Sequence, residues 1–350
     1  MSSSSVKKSL IGKDLLGMGL LLLFLALFLF SDQISETRFI ESVPNAWLNV
    51  NTIFLSIVLE AIPFILLGVF ISALIQLYVS EETIQRFLPK NAWAALFPAA
   101  MLGAIIPLCE CAIVPVVRRL IKKGMPLHVG VVFLVAAPIL NPVVFASTYF
   151  AFRDNTAILY SRMGLAFVLA ILIGAILYTL FKKDPDQLRS SVNTSLASHH
   201  VHPMGVTLHT KKPTITQRLR DILHHASDEF FMMGKYLILG AFIAAMFQTF
   251  LDRELLLSIG SDQYASTIVM MGFAYLLSLC SEADAFVASS FSAQFTDTSI
   301  VAFLVYGPML DLKNTFMLFA FFKVRFVLAF MTTVTFIVFA GVMLISGWIL

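Results

Sequence analysis

The sequence predicts an all-α polytopic membrane protein: two inverted transmembrane repeats, each with a broken, re-entrant helical hairpin, behind an extra N-terminal transmembrane helix. Composition is the first sign. Of the 350 residues 59% are hydrophobic and 13% charged, and the mean hydropathy is +0.88, outside the balance of a soluble domain. The second sign is that apolar runs long enough for the roughly 20 residues that span hydrocarbon recur almost end to end. The third is that the two halves of the chain resemble each other. A net charge of +3 is too small to imply a nucleic-acid partner, and three cysteines without a spacing framework argue against a disulfide scaffold.

Lys7, Lys8 and Lys13 precede the first apolar run, Leu15 to Phe30. No small-x-small cleavage site follows "LALFLFSDQ", so this run reads as an uncleaved helix with its N-terminus in the cytoplasm. Later runs cover Val50 to Tyr78, Ala92 to Val117, Met125 to Ala151, Leu159 to Phe181, Phe230 to Leu251, Ala265 to Phe291, Ile300 to Phe322 and Val324 to Leu350. A polar stretch from Lys182 to Asp228 separates the halves. The organisation expected is an N-terminal anchor helix and external loop (1–49), a first repeat (50–182), a cytoplasmic His-containing linker (183–227) and a second repeat (228–350).

The internal repeat rests on three segments in register. "VVFLVAAPILN" from Val131 aligns with "VAFLVYGPMLD" from Val301 at an offset of 170. "LGVFISA" from Leu67 meets "LGAFIAA" from Leu239 at 172, and Leu108 with Cys109 meets Leu279 with Cys280 at 171. One such match between greasy helices is ordinary chance, whereas three in order point to duplication.

Charge decides the orientation of the copies. If every apolar run crosses, Arg118, Arg119, Lys122 and Lys123 fall outside with the basic central loop, against the positive-inside rule. If Ala92–Val117 and Ala265–Phe291 instead enter and leave on one side, 18 Lys and Arg lie inside and four, Arg38, Arg153, Arg162 and Arg253, outside. Ala92 to Ile106 would give about 22 Å of helix, too little to cross about 30 Å, and Pro98, Pro107 and Pro115 supply breaks. A single proline-kinked crossing helix is the competing reading. With the hairpins each repeat makes an odd number of passes, so the second copy is inverted and the binding site falls at the midplane, where broken helices leave polar ends facing a cavity.

The hairpin tips carry the chemistry. In "IPLCECAIVPVVRRLIKKG" (Ile105 to Gly124) Cys109, Glu110 and Cys111 lie between apolar residues and prolines, and "LCSEADA" (Leu279 to Ala285) is the twin, with Cys280, Glu282 and Asp284. Thiolate sulfur selects Zn, Cu(I) and similar thiophilic species. Carboxylates at membrane depth are costly and mark function, although Glu282 and Asp284 would be plain solvated charges if that hairpin is shallow, and Cys280 alone reads as packing. Asn141 and Asp311 occupy equivalent positions after prolines and are expected to line the pathway. Glu60 is a further candidate, as a pathway group or as the partner of Lys235, while Lys313 is expected to snorkel or to pair with Asp311. His199, His200, His202 and His209 in "SHHVHPMGVTLH" could chelate a metal, but the surrounding Ser, Thr and Pro favour a solvated linker. His224 and His225 read as helix-entry residues.

The blocks "PLCECAIVPVVRRLIKKGMPLHVGVVFLVAAPILNPVVFAST" and "CSEADAFVASSF…FLVYGPMLDLKN" resemble the paired signature of a broad bacterial family of predicted permeases that includes the ArsP organoarsenical efflux permeases. The resemblance covers nearly everything after Thr52. It implies a bacterial inner-membrane permease, with Cys109 and Cys111 as functional candidates and a second small membrane subunit as a partner. Glu110 departs from the arsenical branch, where a small residue accompanies the cysteines; a carboxylate suits a divalent cation better than a neutral organoarsenical.

The expected function is therefore transport and not catalysis. A small thiophilic solute, either a metal cation or a metalloid or organoarsenical species, would move by alternating access at a site of Cys109, Glu110, Cys111, Asn141, Cys280, Glu282, Asp284, Asp311 and Glu60. No resident cofactor is expected; a transported metal ion would be held by Cys109, Cys111 and Glu110. The partners expected are the lipid bilayer, the solute, and a small subunit or another copy of the chain. No nucleotide-binding motif is present. A membrane thiol–disulfide oxidoreductase and a non-transporting subunit of a larger complex stay open as alternatives, the first weakened because redox pairs usually take a C-x-x-C spacing.

Overall fold

The computed structural model describes residues 45–78, 82, 89, 91–106, 108–184, 186–189, 215–250 and 263–347. The predicted N-terminal helix and the histidines at 199, 200, 202 and 209 lie outside the described residues. The chain divides into two units between Asn51 and Thr52; of the first, 45–51 are described, as helix.

The described chain is helical, with an isolated bridge between Leu188 and Phe322. The first half holds α1 (Asn45–Tyr78), α2 (Leu96–Ile105), α3 (Glu110–Lys122), α4 (Leu127–Leu140), α5 (Pro142–Ala151) and α6 (Thr156–Phe181). The second holds α7 (Ile215–Phe250), α8 (Gln263–Leu277), α9 (Asp284–Ser289), α10 (Asp297–Met309), α11 (Leu312–Phe321) and α12 (Val324–Ser346). In each half a long helix is followed by a short broken pair, a helix broken near its middle, and a long closing helix. Ala46–Gln76, Leu127–Ala151, Thr156–Phe181, Ala226–Phe250 and Val324–Ser346 are long and apolar enough to cross a membrane.

The 10 residues of α2 and 13 of α3 make about 15 and 20 Å of helix, short of the roughly 30 Å of hydrocarbon. Their directions follow from their contacts with α4. Leu96, at the start of α2, meets Val132 and the His128 carbonyl around Gly174, while Gly103, near its end, lies against Ala136 and Ala137. Val117 and Ile121, late in α3, lie against Gly130. Hence α2 runs parallel to α4 and α3 antiparallel, so both ends of the pair sit level with the first turns of α4. The tip, at Ile106–Cys109, comes level with the middle of the Leu127–Ala151 span. In the second pair Phe291, just beyond α9, meets Phe273 of α8 edge to face at 5.5 Å, so the chain again doubles back.

Two expectations about breaks are corrected here. Pro98 and Pro115 lie inside α2 and α3 and break neither. Pro98 sits in the first turn, where its missing N–H has no intrahelical acceptor, and Pro115 is held by neighbours on all sides, since every residue from Glu110 to Arg118 is buried. A helix also begins inside the segment read as linker: α7 starts at Ile215, so His224 and His225, read as helix-entry residues, lie within it.

One end of the bundle is fastened by charge. Glu229 of α7 pairs with Arg118 at 3.6 Å and Arg119 at 3.2 Å, Ser72 of α1 donates to Glu229, and the Lys123 ammonium donates to the Gln76 carbonyl at 2.8 Å. The Arg118 guanidinium also stacks on Phe321 at 4.3 Å. Elsewhere the halves exchange contacts: α5 packs on α9, and α11 on α3.

Candidate functional site

Four helix interruptions face the interior, and each is made by a different local device. At the first hairpin tip Cys109 is extended (φ −74°, ψ 168°) and its carbonyl accepts the first bonds of α3, from Ala112 and Ile113. Glu110 then opens α3, where a carboxylate is favoured by the helix N-terminus. At the second tip Ser278 has φ 50°, a left-handed backbone rare for a residue with a side chain. Between α4 and α5, Asn141 accepts from the Val143 and Val144 amides while its own amide donates to the Ala137 and Pro138 carbonyls. Between α10 and α11, Asp311 caps α11 by accepting from the Asn314 amide.

Lys313, in the first turn of α11, joins three of these interruptions. Its ammonium, only 2% exposed, lies 3.0 Å from Glu110 Oε1 and 3.5 Å from Asp311 Oδ2, and it donates to the Ser278 carbonyl at 2.7 Å. It therefore does not snorkel. Beside it Cys111 lies within interaction range of Cys109, Glu110 and Lys313, and all three cysteines are free and buried. Cys280 is within electrostatic reach of Glu110, Lys313, Cys111 and Glu60.

A second buried cluster stands close by. Arg162 of α6, fully buried, donates to Asp284 Oδ2 at 2.7 Å, to Thr148 Oγ1 at 2.7 Å and to the Ser281 carbonyl at 3.2 Å. Arg162, counted among the external charges, is thus buried within the bundle, and Asp284, expected at the site, is not the solvated charge that a shallow hairpin would have made it. A cation in an apolar interior persists when it is paired and hydrogen bonded. Glu282 is half-buried and lies within electrostatic reach of Glu110 and Arg162.

The nine residues expected to form the site fall into groups. Cys109, Glu110, Cys111, Cys280, Glu282, Asp284 and Asp311 gather at the interruptions. Asn141 is fully buried, with its side chain occupied by its own helix break. Glu60 is exposed, and so is Lys235; no ion pair joins them. Among the described residues no three His, Cys, Asp or Glu side chains stand together as a metal site, so Cys109, Glu110 and Cys111 are not arranged as a ready-made one. Sequence reasoning missed Arg162, Thr148, and the Ser278 and Ser281 carbonyls. A lone Arg inside an apolar run was a signal for the first, but backbone carbonyls carry no residue signature.

The profile of a family described as "Predicted permease" matches residues 46–347. The UPF0718 protein YcgR of Bacillus subtilis (strain 168) is 48% identical over 307 residues, covering 87% of this chain and 99% of that protein. A Streptococcus mutans protein, named provisionally as a two-component membrane permease complex subunit, is 38% identical over 296 residues, covering 85% of this chain and 94% of its own. No solved structure matches. With a family profile spanning both hairpins and relatives aligned over nearly their whole length, this chain belongs to the predicted-permease family.

Proposed function

We propose that this protein carries a small thiophilic solute, a metal cation or a metalloid species, across the bacterial inner membrane by alternating access. The observation that supports this most is the first hairpin tip. There two buried, free thiols stand on either side of Glu110, whose charge is met by Lys313 from the other half. Thiolates select soft ions, and ionisable groups at membrane depth mark transport paths.

The two halves are read as inverted copies. The start of α10 lies beside the end of α5, through a 2.9 Å bond from Asn155 to Asp297, whereas the start of α4 lies by the end of α3. Equivalent helices thus begin at opposite ends of the bundle, which is what rocking around a fixed site needs. A cytoplasmic N-terminus is the reading that the positive-inside rule supports, from Lys7, Lys8 and Lys13 in the sequence, and a second membrane subunit is a natural partner given how the Streptococcus relative is named.

The test is uptake by vesicles offered zinc, cadmium, arsenite and organoarsenicals in turn. Replacing Cys109 and Cys111 by Ser should abolish flux of the transported solute, with the protein still in the membrane. Undiminished flux in that variant rules the site out.

A further inference from the structure

The Lys313 ammonium occupies what would otherwise be a cation site. Three oxygens from three separate elements converge on it: Glu110 Oε1 from the first hairpin, Asp311 Oδ2 from the α10–α11 break and the Ser278 carbonyl from the second hairpin. The carboxylates have capacity left over. Glu110 is fully buried and neither of its oxygens makes a directed hydrogen bond, and Asp311 Oδ2, also buried, makes none. Pro115 has no N–H to offer the Cys111 carbonyl, so that oxygen lacks its usual intrahelical donor as well. Two thiols stand next to the same carboxylate.

Resting on the carrier reading above, we infer that Lys313 is a built-in competitor for the transported solute, and that this solute is a thiophilic cation and not a neutral arsenical. The cation takes Glu110 together with Cys109 and Cys111. Lys313 withdraws from Glu110 and keeps Asp311 and the Ser278 carbonyl. Lysine suits this role because it is a compact charge on a flexible stem, which can change partners without losing a fixed bond geometry. Release is then the reverse exchange, driven by the ammonium's return. The first half shows what the same break looks like without the device: Asn141 stands where Asp311 does, and Val143 where Lys313 does.

Cadmium binding to the purified full-length chain in detergent, measured by calorimetry, tests the competition. Lys313→Met should bind Cd²⁺ at least tenfold more tightly than the native chain. Should that variant fail to fold, Asp311→Asn combined with Lys313→Met decides. It preserves the net charge of the cluster and restores the pattern of the first half, and it too should gain at least tenfold. Adding Glu110→Gln to the double variant should remove the gain, and a neutral trivalent methylarsenical should show no gain in either variant. Equal or weaker Cd²⁺ binding by the folded variants overturns the competition and leaves the carrier reading intact. Absence of vesicle flux for every thiophilic solute, with no Cd²⁺ binding by any form, overturns the carrier reading and the competition with it.

Discussion

Arg162 and Lys313 are both cations buried in one apolar bundle, and they are held in opposite ways. Arg162 makes three directed bonds, two of them at 2.7 Å, to Asp284, Thr148 and the Ser281 carbonyl. Its planar fork ties α6, α5 and the second hairpin tip into one geometry. Lys313 sits at 3.0 and 3.5 Å from two carboxylates, with one carbonyl bond, so its ammonium can move between partners. The contrast separates a strut from a moving part. Both join elements of different halves, but only the second lies beside the cysteines.

That contrast is broken most severely at Arg162. Arg162→Met leaves Asp284 buried without its cation, a loss of about 3–5 kcal/mol, read as a fall in the temperature at which the detergent-solubilised chain aggregates. Arg162→Lys should recover little, because Arg162 reaches Thr148 from one guanidinium nitrogen and Asp284 and the Ser281 carbonyl from the other, a spread that one ammonium nitrogen does not match; full recovery would show that charge alone matters there.

A smaller effect is expected at Gly240. A Cβ there would lie 2.8 Å from Lys313 Cα, so Gly240→Val should displace the start of α11. The expected cost is about 1–3 kcal/mol of stability, with vesicle flux falling further than the lost stability accounts for. A Cβ on its counterpart Gly68 would lie 2.5 Å from Ala112 O, and Gly68→Val should disturb the cysteine tip in the same way. If Gly240→Val lowers flux no more than stability, Lys313 is a second strut. The smallest effect belongs to Glu60, which is exposed: Glu60→Gln should change stability by within about 0.5 kcal/mol, measured by the same aggregation assay.

Much of the fold was legible because it is local. Hydropathy placed the spans, and the positive-inside rule pointed to hairpins where α2–α3 and α8–α9 stand. Prolines were the weaker guide: Pro98 and Pro115 stay within helices, while the left-handed Ser278 interrupts the second hairpin with no proline in its tip. The site was legible as a list of polar residues, less so as a set of partners. Asn141 and Asp311 were recognised as equivalent, yet one is occupied by its own helix break and the other faces an ammonium. Glu60, read as a pathway group or as the partner of Lys235, forms no ion pair with it.

By itself the sequence determined that this chain lies in a membrane, where its helices run, and which of them carry polar residues at depth. Those properties follow from transfer free energies and backbone hydrogen bonding, which act residue by residue along the chain. Only the tertiary structure decided that Glu110 meets Lys313 and that Asp284 meets Arg162. A buried charge takes whichever opposite charge the packing brings within a few ångströms, and in the Arg162–Asp284 pair that partner stands 122 residues away.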